Sequence, residues 1–183
     1  MKTIIVTDIF GKTPALEMFA ESISLKGGFS IVDPYQGKNV QFANEANAYE
    51  YFSQHIGIKK YYQKLEKYLL SINKPYRLVG FSVGAAVCWQ YCAKNNSCYL
   101  MKSDLFYGSQ IRNMQTLEPQ SPVNLIMPKS EPHFSIDDHI QALTGKKQVT
   151  ISKTEYLHGF MNPLSKNYHQ QAYQNYLSAL VEQ

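Results

Sequence analysis

Five consecutive residues, Gly80-Phe81-Ser82-Val83-Gly84, have the form G-x-S-x-G. The run before them, Tyr76-Arg77-Leu78-Val79, reads as a strand, and Ala85-Ala86-Val87-Cys88-Trp89 opens a helix. That strand–turn–helix setting is where this pattern exposes a nucleophile. A residue held in such a turn takes strained backbone angles, and Gly80, Gly84 and Ala85 are small enough to allow it. A serine hydroxyl is a weak nucleophile at neutral pH and needs a base, which in turn needs an acid to orient it. His158, followed by Gly159-Phe160, falls in the loop after the last expected strand, and ligand-facing groups gather at such carboxyl ends. It is the first choice for the base. His133 lies in a loop near the expected site and is the second, whereas His55, His139 and His169 fall on expected helices.

The acid belongs in the loop after the strand Val123 to Met127. Glu131 is the only carboxylate in Pro128-Lys129-Ser130-Glu131-Pro132. Asp137 and Asp138 follow at a helix start, where acids serve the helix dipole, and Asp137 stays open as the alternative acid. The attacked carbonyl also needs two N–H donors. The backbone N–H of Val83 suits, because the first N–H groups of a helix lack partners. A second would come from Asp8-Ile9-Phe10-Gly11 after the first strand, with Ile9 as the donor. Phe10, Tyr35, Phe81, Tyr107, Phe134 and Phe160 sit near expected strand ends, and as a lining they would make an apolar cleft for a small neutral acyl group. No HExxH or paired-Cys spacing occurs, so neither cofactor nor metal is called for.

The elements that must position these residues follow from periodicity. Short β-branched or apolar runs alternate with helical segments, the pattern of a parallel sheet covered on both faces. The expected strands are Thr3 to Thr7, Phe29 to Val32, Tyr76 to Val79, Asp104 to Tyr107, Val123 to Met127 and Gln148 to Ser152. Pro14 opens a helix to Leu25, closed by Gly27-Gly28. Asn44 to Ser71 reads as one long or two shorter helices broken at Gly57. Ser82 to Lys94 is small and apolar almost all round, as a buried helix must be. Ser135 caps a further helix that ends before Gly145, and Ser165 to Val181 forms the last.

Size and charge bound the rest. The 183 residues, 44% hydrophobic and 17% charged, suit a single folded domain over 1–183 and exclude disorder or coiled coil. A net charge of +4 comes from scattered lysines, with only Arg77 and Arg112 as arginines. A solvated surface is implied rather than a nucleic-acid stripe. Three cysteines without CxxC spacing argue for a reducing compartment. Neither a signal peptide nor a run long enough to span a membrane is present, so a soluble, cytoplasmic protein is expected, monomer or homodimer.

Three segments resemble the dienelactone hydrolase family: Asp8-Ile9-Phe10-Gly11 is similar to its acid-Ile-Phe-Gly oxyanion loop, Gly80 to Gly84 to its nucleophile elbow, and His158-Gly159-Phe160 to its His-Gly-Phe. Val32-Asp33-Pro34-Tyr35 and Phe106-Tyr107-Gly108 are weaker echoes. The resemblance runs from about Thr3 to Leu180, and the order Ser82, Glu131, His158 is that of the α/β-hydrolase fold. It implies a hydrolase that opens a small ester or lactone through a covalent acyl-enzyme. The chain departs from the family in having Ser82 where dienelactone hydrolase has Cys, and Glu131 where Asp is usual. The family's carboxylate-binding arginines have no match, which argues against an anionic dienelactone. Thioester cleavage or acyl transfer on the same residues, and a non-catalytic binding module on the same fold, are the alternatives. With six strands and their helices placed, no residues remain for a cap: the expected architecture is a minimal three-layer αβα sandwich with a mostly parallel six-stranded sheet.

Overall fold

The computed structural model describes residues 1–24 and 27–181. Six strands form one sheet: β1 (Lys2–Val6), β2 (Phe29–Val32), β3 (Tyr76–Phe81), β4 (Leu100–Phe106), β5 (Val123–Met127) and β6 (Val149–Lys153). They lie in the order β2-β1-β3-β4-β5-β6, and all five pairings are parallel. The sheet is thus fully parallel rather than mostly so. Such a sheet needs cover on both faces, and alternation along the strands divides the core in two. Ile4, Val6, Leu78, Leu105 and Leu125 point to one side; Ile5, Val79, Phe106 and Ile126 point to the other.

The first side is covered by α2 (Glu45–His55), α3 (Gly57–Leu69), α4 (Val83–Lys94) and α5 (Ile136–Leu143), the second by α1 (Pro14–Ile23) and α6 (Gln170–Val181). Each start has a local cause. Thr13, Asn44 and Ser135 accept N–H groups of the first turns of α1, α2 and α5, the ordinary N-cap arrangement. Only Ile56 lies between α2 and α3, and Gly57, the first residue of α3, turns at φ +67°. The expected end of α1 at Leu25 lies outside the described residues; within them α1 ends at Ile23. The last helix starts at Gln170 rather than Ser165. The hydrogen bonds Ser165 N–H to Asn162 O and Tyr168 N–H to Ser165 O turn the chain there, and His169 Nδ1 then accepts the Ala172 N–H.

The longest connection, 33–75, carries α2 and α3 and packs onto α4 instead of forming a separate cap. Among the described residues no helix is long and apolar enough to cross a membrane. Arg77 is buried at the amino end of β3, where its guanidinium donates to Thr3 Oγ1, Ile23 O and Leu180 O. A fixed cation therefore sits at the C-terminal ends of both α1 and α6, where the helix dipoles favour it.

Candidate active site

The sequence order of the strands reverses between β1 and β3, and in open parallel sheets that crevice is where the carboxyl ends diverge to admit a ligand. Ser82 emerges there with φ +51° and ψ −115°, a conformation an L-residue keeps only when its surroundings impose it. They do. A Cβ on Gly84 would stand 2.3 Å from Val6 O and 2.4 Å from Thr7 O, and one on Gly80 2.9 Å from the Ala85 Cα. The two glycines of the motif thus let α4 press against β1 and β3, while the Ser82 N–H is tied to Phe106 O at 3.0 Å.

Ser82 Oγ lies 2.9 Å from His158 Nε2. His158 Nδ1 lies 2.7 Å from Glu131 Oε1, so the imidazole donates from Nδ1 to the carboxylate and keeps Nε2 free to accept the serine proton. Gly159 turns at φ +89° directly after the histidine, and Asn167 Nδ2 holds the His158 carbonyl at 2.9 Å. The Glu131 side chain is 9% exposed. Burial opposes its charge, but the hydrogen bond and charge of His158, the Ser109 hydroxyl and the Arg112 guanidinium outweigh it and hold the carboxyl below its ordinary pKa. Asp137 instead pairs with Lys153 Nζ at 2.6 Å and is 77% exposed. Of the two candidate acids, Glu131 is the one brought to His158.

Ser109 was not among the expected site residues. Its Oγ donates to Glu131 Oε1 and lies 3.0 Å from His158 Nδ1. It begins a 3₁₀ helix, Ser109–Asn113, a short element without a hydrophobic period to reveal it. The only hint was its place directly after Tyr107-Gly108. Arg112, in the same turn, donates to Ser109 O at 2.9 Å and lies over the Phe134 ring at 4.9 Å.

A cleft of about 440 Å³ opens over Ser82 and His158. Ile9 and Val83 line it, as do Phe134 and His133, but so do Glu45, Tyr49, Arg112 and Lys166. The apolar aromatic lining expected from sequence is corrected here. Phe10, Phe81, Tyr107 and Phe160 are no more than 5% exposed and belong to the core. Phe81 stacks on Phe106 with centroids 5.2 Å apart, and Phe160 packs on Tyr107 at 5.3 Å and Tyr176 at 5.5 Å. Rings at strand ends can turn to the cleft or to the helix layer; here Phe81, Tyr107 and Phe160 pack in the cluster beneath α1 and α6, and Phe10 packs in the core on the other face of the sheet. Tyr35 is likewise buried, its hydroxyl donating to Ile9 O at 2.6 Å. Phe81 and Tyr107 border only a small separate cavity of about 20 Å³.

The profile of the dienelactone hydrolase family matches residues 2–183. The uncharacterized protein YczH of Bacillus subtilis (strain 168) is 27% identical over 165 residues, which cover 87% of this chain and 80% of that protein. Among solved structures, a Klebsiella pneumoniae protein assigned as a dienelactone hydrolase superposes with a TM-score of 0.74 at 16% identity, covering 100% of this chain and 87% of that one. A cold-adapted esterase from an Arctic intertidal metagenomic library gives 0.66 at 15% identity, covering 99% and 82%. At such identities the two structures speak for the α/β-hydrolase fold, and the profile speaks for the lineage: this chain belongs to the dienelactone hydrolase family.

Proposed function

We propose that the protein is a serine hydrolase that cleaves a small carboxylic ester or lactone through an acyl-enzyme on Ser82. The observation that carries the reading is the hydrogen-bonded series Ser82 Oγ, His158 Nε2, His158 Nδ1 and Glu131 Oε1, at 2.9 and 2.7 Å, on a serine with strained backbone angles. His158 takes the Ser82 proton as Oγ bonds to the substrate carbonyl carbon, and Glu131 stabilises the imidazolium. The oxyanion draws on the N–H groups of Ile9 and Val83. Collapse breaks the acyl C–O bond, and the leaving alkoxide receives the proton from His158. Water, deprotonated by the same imidazole, then releases the acid and restores Ser82.

The charged rim formed by Arg112, Lys166 and Glu45 favours a polar or charged ester over the neutral apolar one first expected. Three free cysteines, two of them buried, support a reducing, cytoplasmic setting as part of the same proposal. Turnover of short p-nitrophenyl esters tests the reading. Wild type should show steady hydrolysis, with a burst of p-nitrophenol where deacylation is the slower step; Ser82→Ala should lose it, and a wild type that neither hydrolyses these esters nor takes a fluorophosphonate would refute the reading.

A further inference from the structure

Two loops from opposite ends of the chain meet at the site: Asp8-Ile9-Phe10-Gly11 after β1 and the segment from His158 to Asn162 after β6. One side-chain pair joins them. Asn162 Nδ2 donates to Asp8 Oδ2 over 2.6 Å, across 154 positions of sequence. Both partners are committed on their other side as well. Asp8 Oδ1 accepts the Phe10 N–H at 2.9 Å, and Asn162 Oδ1 accepts the Leu164 N–H at 2.9 Å. The polarity of the pair is therefore determined: position 8 accepts twice, and position 162 donates to it while accepting from its own loop. Burial raises the Asp8 pKa above its ordinary value against the pull of the Asn162 and Phe10 donors, so the carboxylate depends on those two partners.

The backbone of the loop is held just as closely. The Asp8 carbonyl accepts from Gly11 N–H at 3.2 Å and from the Thr7 hydroxyl at 3.1 Å. The Ile9 N–H belongs to that same planar peptide unit, so fixing the carbonyl fixes the direction of the N–H. Tyr35 holds the next carbonyl, that of Ile9, at 2.6 Å, and among the described residues nothing accepts the Ile9 N–H.

We propose that Asp8 and Asn162 are a positioning pair that couples the oxyanion loop to the loop of the base, so that the Ile9 N–H and His158 keep one mutual geometry. The proposal rests on the serine-hydrolase reading for its kinetic consequence and not for the coupling itself. Displacing a catalytic group by about 1 Å is enough to lower the rate on the order of 100-fold.

The test is a reciprocal swap. Asp8→Asn brings two amide groups face to face, and Asn162→Ala removes the donor without adding charge. Asp8→Asn with Asn162→Asp restores every bond: the amide at position 8 accepts from Phe10 and donates to the carboxylate at position 162, which accepts from Leu164. Each single substitution should lower kcat for p-nitrophenyl acetate about 10- to 100-fold with KM within about threefold, and the swap should recover most of the loss. By hydrogen exchange, residues 7–12 and 157–164 should both lose protection in each single variant and regain it in the swap. Unchanged kcat in the single variants, a swap no better than Asp8→Asn, or loosening of one loop without the other would overturn the proposal. If wild type hydrolyses nothing and takes no fluorophosphonate, the hydrolase reading falls, and hydrogen exchange alone decides the coupling.

Discussion

Ser82 and Glu131 are held in place by different physics. Ser82 sits between two central strands on a turn whose shape is enforced by backbone packing: Gly84 against the Val6 and Thr7 carbonyls, Gly80 against Ala85. Glu131 sits in the loop after β5, the strand next to the edge strand β6, and is held mainly by side-chain hydrogen bonds from Ser109 and His158. The first arrangement tolerates no added atom and rests on backbone contacts with β1 and β4 rather than on side chains. The second tolerates small shifts but fails when a partner is lost. A glutamate has one more rotatable bond than the aspartate usual in the family, and the Ser109 hydroxyl supplies the extra restraint.

The contrast breaks most sharply at Glu131. Glu131→Gln keeps the shape and can leave an oxygen facing His158 Nδ1 and Ser109, but it removes the negative charge that stabilises the imidazolium formed as the Ser82 proton is taken. Turnover should fall about 10³-fold or more, while Asp137→Asn stays within about twofold; steady-state kinetics on one ester decides between them. Next to Ser82, Gly84→Ala inserts a methyl where carbonyl oxygens already stand. It should destabilise the fold by about 3 kcal/mol, read as a lower urea midpoint with unchanged slope.

Acid should loosen the Glu131 side first. The Glu131 pKa is lowered from 4.5 in the folded protein, so its stabilisation is present above that value and lost as pH falls through the depressed one. His139, on α5 beside Phe134, is pushed down from 6.5 to about 4 by burial and then by Arg112. The unfolded chain takes that proton first, so stability present above pH 6.5 declines as pH falls toward about 4, by up to about 3 kcal/mol. His139→Gln should flatten this part of the stability–pH curve; an equal slope in the variant would contradict the assignment. The smallest effect is expected at Ser109. Ser109→Ala should lower kcat about tenfold with KM little changed, and Ser109→Thr, which keeps a hydroxyl, should recover much of the loss.

What could be read from the sequence follows the same division. Ser82 was legible because its setting is local: strand, turn and helix lie within a dozen residues, and the small neighbours are themselves the signal. The strands Phe29–Val32 and Val123–Met127, the break at Gly57 and the Ser135 cap were legible for the same reason. Ser109, Asn162 and Asn167 were not, because each acts through a side-chain contact that only the folded chain creates. The aromatic residues misled because burial depends on which helices pack where: Phe81 and Phe160 meet α1 and α6 residues that are distant in sequence. The start of α6 moved from 165 to 170 because Asn162, Ser165 and His169 give the backbone local turns in place of helix.

The most direct measurement is intact-mass and peptide mapping after exposure to a fluorophosphonate, comparing wild type, Ser82→Ala and His158→Ala. One adduct on the peptide containing Ser82 is expected in wild type, none in Ser82→Ala, and labelling slowed by orders of magnitude in His158→Ala. A wild-type protein that stays unlabelled, or an adduct that persists in Ser82→Ala, would contradict the assignment of Ser82 as the nucleophile.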